Sequence, residues 1–162
     1  HWILKQLEAY NAKATFFCVG NNIENCNDEF NAIIEKGHAV GNHTYNHLNG
    51  RNNSLLSYLR DVKKCDKIFK SKLFRPPHGR LSKKQSTALI KDYKIIMWDV
   101  LSGDFDSNLS GVECYKAVVK NVEKGSIIVF HDSKKAAPRL KIALPKVLKE
   151  LTKQGFSFKP VT

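Results

Sequence analysis

A chain of 162 residues with 42% hydrophobic and 26% charged side chains has the size and balance of one folded domain over 1–162, which excludes disorder, collagen-like repeats and low-complexity tails. The net charge of +12 is uneven: residues 1–50 carry three Lys against five acidic groups, whereas residues 51–162 carry 24 basic and 10 acidic ones. No apolar run approaches the roughly 20 residues of a membrane span, and the lysines are scattered along helical stretches rather than clustered, which favours a solvated basic surface over a nucleic-acid reader.

Residues 2–11 read as the end of a helix, with Ile3, Leu4 and Leu7 on one face. Residues 14–20 form a short apolar run of buried-strand type. An amphipathic helix is expected over 22–36 through Phe30, Ile33 and Ile34, with Gly37 as its stop. A brief strand at 38–41 leads into the polar loop 42–53, and Ser54 is placed as the N-cap of a helix carrying Leu55, Leu59, Val62 and Ile68. The second half repeats the plan, with strands at 72–75, 94–100, 126–130 and 156–159 and helices at about 82–92, 111–123 and 139–153. Alternation of this kind predicts βα units and a parallel sheet, either an open doubly wound one or an incomplete barrel. Cys18, Cys26, Cys65 and Cys114 form no CxxC pair and no zinc-finger spacing, so buried thiols are expected rather than a disulfide framework.

Parallel α/β folds gather their chemistry at the carboxyl ends of strands, and four of the six histidines fall there: His43, His47, His78 and His131. His43 and His47, four apart, can aim two imidazoles at one ion, although such a pair also occurs among ordinary polar loop residues. The segment reads His-Thr-Tyr-Asn-His, without the Glu of the zinc-peptidase HExxH, and it lacks a third ligand. His131 emerges from an apolar strand beside Asp132 and is a candidate general acid or base, against the simpler reading of a hydrogen-bonded core histidine. Asp104 is a candidate to orient it, with Asp99 and Asp106 as alternatives. Arg75, held on stiff backbone before Pro76 and Pro77, is placed to pair with a carboxylate, or simply to form a surface ion pair. The same prolines direct the backbone N–H of His78 inward, as an oxyanion donor requires.

Five stretches in order, Lys13–Gly20, Gly37–His47, Phe74–Gly79, Met97–Phe105 and Gly125–Asp132, resemble the polysaccharide deacetylase family, the NodB-homology domain of carbohydrate esterase family 4. The resemblance spans nearly the whole chain. It implies an α/β fold, a distorted (β/α) barrel here lacking its first strand, and metal-dependent removal of acetyl groups from N- or O-acetylated sugars of a polysaccharide such as peptidoglycan or chitin. His43 and His47 would then be metal ligands, for zinc first, with cobalt, nickel or manganese also suited. His131 would protonate the leaving amine, Asp104 would tune it, Arg75 would steady the catalytic base, and the N–H of His78 would help hold the oxyanion. Val129 would line the acetate pocket and Phe105 the groove wall.

There are departures from the family pattern. Its Thr-Phe-Asp-Asp-Gly motif, the source of the base and third ligand, is absent, and the chain opens on His1 rather than Met. We therefore expect a truncated piece of a longer protein, inactive by itself and weak in metal binding. His78 stands where the family has Tyr or Phe, Phe105 where it has Trp, and Val129 where it has Leu. The expected partner is an acetylated glycan, with no nucleic acid, and the expected setting is a monomer at the cell envelope or secreted. A non-catalytic carbohydrate-binding remnant of the same fold is the alternative.

Overall fold

The computed structural model describes residues 1–161, which form two compact units. One comprises Lys13–Met97 with Pro160 and Val161, and the other His1–Ala12 with Trp98–Lys159.

The first unit is built on a parallel four-stranded sheet in the order β1 (Thr15–Cys18), β2 (Ala39–Asn42), β3 (Leu73–Phe74) and β4 (Lys94–Ile95). Thr15 to Cys18 pair in register with Ala39 to Asn42, Asn42 pairs with Phe74, and Phe74 with Ile95. At Gly41 an added Cβ would lie 2.5 Å from the Phe17 ring, so only glycine admits that ring across β2. Helices α2 (Gly20–Asn25) and α3 (Asn27–Glu35) connect β1 to β2, α4 (Leu55–Cys65) connects β2 to β3, and α5 (Lys83–Leu89) connects β3 to β4. Ser54 caps α4 by accepting from the Ser57 N–H, and Ser82 with Gln85 forms a capping box on α5. The core here is Tyr58, Val62, Phe74, Leu89 and Tyr93, joined by Leu48, Leu59, Leu81 and Ile95.

The second unit contains α1 (Trp2–Ala9), β5 (Val100–Leu101), α6 (Gly111–Asn121), β6 (Ile128–Val129) and α7 (Ala137–Lys153). β5 and β6 pair in parallel, with Val100 opposite Ile128 and Leu101 opposite Val129. Val100, Val118, Val147 and Leu151 form its core.

Three elements differ from the sequence reading. The helix expected over 22–36 is two helices broken at Cys26 (φ −136°, ψ 51°). Its first turns are rich in Asn, and the Asn25 side-chain amide takes the Asn21 carbonyl at 2.8 Å, the kind of local bond that competes with a helix. The strand expected over 94–100 is two short strands in separate sheets, because the carbonyls of Ile96 and Met97 accept from the Arg75 side chain. Residues 156–159 form no strand: Phe156 and Phe158 pack on the second core while Ser157 and Lys159 face solvent, giving the alternation without a ladder. The four cysteines are free thiols, with Cys65 and Cys114 buried and Cys26 exposed, and burial pushes the Cys65 thiol up to about 12.

Candidate functional site

The loop after β2 carries His43 and His47. The His43 N–H extends the ladder to the Cys18 carbonyl (3.1 Å), after which the chain turns through two left-handed residues, Thr44 (φ 64°) and His47 (φ 56°). The N–H groups of Gly20 and Asn21, at the start of α2, donate to the Thr44 and Tyr45 carbonyls at 3.0 Å each. So wrapped, the loop brings the His43 and His47 rings to a centroid separation of 5.0 Å, edge to face. The ring of His78 lies against His47 at 4.8 Å. His78 is exposed and sits in a short 3-10 turn (Pro77–Gly79) with φ 57°, so what the structure adds to its expected backbone role is an imidazole packed on a ligand candidate.

His43 Nδ1 lies 2.6 Å from the Arg75 carbonyl. A carbonyl only accepts, so Nδ1 carries the proton and the neutral ring keeps its lone pair on Nε2, the tautomer in which imidazole ligates a metal. Two imidazoles, one with its tautomer fixed by a neutral acceptor, fit a borderline-soft divalent cation such as zinc. Among the described residues no group of three His, Cys, Asp or Glu side chains is placed to hold a metal ion.

The Arg75 side chain donates from Nε to the Ile96 carbonyl (3.1 Å) and from Nη2 to the Met97 carbonyl (2.8 Å), while its guanidinium stacks 4.2 Å above the Phe17 ring. Burial lowers its pKa to about 10, so it stays charged at neutral pH. Its backbone carbonyl and its guanidinium thus link His43 to the end of β4 and to β1.

In the second unit, Asp104 is fully buried and accepts twice from His131: its Oδ2 from the backbone N–H at 2.8 Å and its Oδ1 from ring Nδ1 at 2.7 Å. Of the three carboxylates the sequence offered, only Asp104 bonds this ring. Asp99 accepts from the Ile127 N–H, and Asp106 accepts from Asn108 within its own turn. Arg139 of α7, which sequence reasoning passed over, donates from Nε to the Asp104 carbonyl at 2.6 Å and ties the Asp104 loop to that helix. The Phe105 ring, 41% exposed, stands edge-on to the His131 ring at 5.2 Å. Val129 is buried in β6 and its carbonyl accepts the Ser102 N–H.

Parallel βα units with histidines at the ends of their strands define an α/β protein of the class that builds its chemistry on strand-end loops. The polysaccharide deacetylase family profile matches residues 2–96, and the chain belongs to that family, a family of hydrolases. It is similar to a peptidoglycan-N-acetylglucosamine deacetylase of Bacillus cereus, 34% identical over 99% of this chain and 78% of the relative. The chain spans 78% of that relative's length and 34% of that of the peptidoglycan-N-acetylglucosamine deacetylase PgdA of Listeria monocytogenes, to which it is 26% identical. Among solved structures, the Bc1960 peptidoglycan N-acetylglucosamine deacetylase in complex with 4-naphthalen-1-yl-N-oxidanyl-benzamide superposes with a TM-score of 0.90 and 28% identity, over 98% of this chain and 78% of that one. BA3943, a family 4 pseudoenzyme from Bacillus anthracis, shares the fold at a TM-score of 0.86 and 23% identity, over 98% of this chain and 57% of that one. The fold class is therefore that of the NodB-homology deacetylases, an α/β fold with parallel strands.

Proposed function

We propose that this chain belongs to a metal-dependent deacetylase that hydrolyses the N-acetyl group of peptidoglycan sugars at the cell envelope or outside the cell, acting as a monomer. The observation that carries this reading is the His131–Asp104 pair: with Nδ1 committed to a buried carboxylate, Nε2 is the nitrogen left to exchange a proton. The name of the Bacillus cereus relative supports the substrate.

His43 and His47 would hold the metal through ring nitrogens, His43 through Nε2. When bound, a divalent cation supplies Lewis acidity to the acetyl carbonyl and to a water. The chain's own residues do the rest. Asp104 fixes the ring of His131, and His131 delivers the proton from Nε2 to the departing amine nitrogen, without which the C–N bond cannot break productively at neutral pH. Arg75 holds His43 in its ligating tautomer through its carbonyl. The N–H of His78 is assigned to the oxyanion, Val129 to the acetate pocket and Phe105 to the groove wall. A base and a third ligand are also required. Because no three ligating side chains are grouped among the described residues, we expect the 162-residue chain to bind zinc weakly and release little acetate unaided.

The experiment is acetate release from N-acetylated peptidoglycan by the zinc-loaded chain extended at its N-terminus with a Thr-Phe-Asp-Asp-Gly strand, beside the bare chain and a His131→Ala variant. The extended form is expected to release acetate, and His131→Ala to lower kcat by about 100-fold or more. Equal release from the extended form and from His131→Ala would remove His131 from its role. A second reading, a carbohydrate-binding module without catalysis, draws support from the fold shared with the Bacillus anthracis pseudoenzyme. It predicts glycan retention with no acetate from any form.

A further inference from the structure

We infer that Asp61, on α4, is a positioning residue whose carboxylate sets the loop that presents His43 and His47; this rests on reading those two histidines as ligands. The residue is 7% exposed, and its carboxylate accepts three hydrogen bonds from Tyr45 and Asn46, which lie between the two histidines. Oδ2 takes the backbone N–H groups of Tyr45 and Asn46 at 2.9 Å each, and Oδ1 takes the Asn46 side-chain amide at 2.5 Å. On either side of this clamp stand Thr44 and His47 in left-handed conformations that L-residues disfavour. A backbone of this kind persists only where its surroundings over-determine it. Charge-assisted bonds to consecutive N–H groups are a sufficient cause, and they act on the segment whose ends carry both imidazoles.

A second carboxylate, at the C-cap of the same helix, fixes the loop's root. Asp66 accepts from the Asn42 side-chain amide (2.9 Å) and from the Tyr93 hydroxyl (2.5 Å), and the Asn42 side-chain oxygen in turn accepts the Thr44 N–H at 2.8 Å. Asn42, Thr44 and Asp66 are all buried, and burial, with the hydrogen bond to Asp66, pushes the Tyr93 phenol well above its ordinary range. The root is therefore held through a side-chain relay, whereas Asp61 grips the loop backbone directly. Asp61 itself does not join the histidines as a ligand, since no three such side chains are grouped among the described residues. Its effect on a metal passes through the loop.

The test uses the 162-residue chain. Zinc affinity is measured by competition with a chelating dye, and the imidazole resonances of the metal-free protein are followed by long-range proton–nitrogen NMR, for wild type and Asp61→Asn. The amide of Asp61→Asn sets a donor against the Asn46 amide. We expect zinc binding weakened about tenfold or more, and displaced His43 and His47 resonances with those of His38 and His131 unmoved. Zinc affinity equal to wild type, or unmoved His43 and His47 resonances, overturns the inference. If wild type binds too little zinc to measure, as the lack of a third ligand among the described residues allows, the resonances alone decide whether Asp61 sets the loop. Should Asp61→Asn not fold, Asn46→Ala removes one of the three bonds from an exposed side chain. It is expected to move the same two resonances in a milder degree, and their staying in place overturns the inference equally.

Discussion

In the loop after β2, a buried carboxylate bonds backbone N–H groups, and the His43 ring rests on a neutral carbonyl of Arg75. In the second unit the buried carboxylate of Asp104 bonds the ring of His131 itself. The difference matches the role proposed for each imidazole. A ligand needs an unprotonated nitrogen, and a carbonyl behind the other nitrogen fixes the tautomer without adding charge. A proton donor needs an acceptor that orients the ring and accompanies its charged form, which is the work of a carboxylate. The same residue type, one helix or loop removed, thus serves backbone shape in one region and ring chemistry in the other.

Exchanging the carboxylates for amides separates the two uses most sharply. In the strand-extended form, Asp104→Asn is expected to lower kcat for acetate release by on the order of 100-fold or more while leaving zinc affinity as in wild type. Asp61→Asn should do the converse, its loss recovering at saturating zinc. A zinc titration run beside the kinetics of both variants checks this, and a common response from the two would erase the distinction.

Packing under the histidine loop gives the next effect in size. Gly41→Ala forces a methyl to within 2.5 Å of the Phe17 ring, which itself stacks on the Arg75 guanidinium. Overpacking of this kind costs about 1–3 kcal/mol. Urea denaturation should show that loss, and the His43 resonance should move with it because Arg75 holds that ring. No comparable change is expected at His131.

The smallest effect concerns acid. His38 is buried and accepts the Ala14 N–H at Nδ1, and burial, with the nearby Lys13 and Lys36, lowers its pKa below the ordinary 6.5. The unfolded chain therefore binds the proton first. The stability this group contributes is complete above pH 6.5 and is lost as pH falls through its folded-state value. Denaturation midpoints measured from pH 7.5 downward should decline, and His38→Asn, which keeps an acceptor for Ala14 but does not titrate, should flatten the decline. An unchanged slope would assign the acid sensitivity elsewhere.

Much of this was readable from order and type of residue. Ser54 announced its helix, and the apolar runs at 14–20 and 126–130 announced β1 and β6, although both strands are mostly half-buried rather than buried. Local pattern is a sound guide in such places because capping and burial act within a few residues. The break at Cys26 was hidden because Asn-rich helix and Asn-rich turn look alike until a side chain chooses its carbonyl. The break after Ile95 was hidden because the carbonyls of Ile96 and Met97 are taken by a residue some 20 positions earlier.

The candidate site divides along the same line. One-dimensional order was enough to name His43, His47, Asp104 and His131, since each follows a strand and strands point their ends at the chemistry. Choosing Asp104 over Asp99 and Asp106, setting the His78 ring against His47, and recruiting Asp61, Asp66 and Arg139 all required the folded chain. Those contacts join residues 15 to 35 positions apart. Hydrogen bonds are directional and short, so which carboxylate reaches which donor is settled only when packing has brought the elements together.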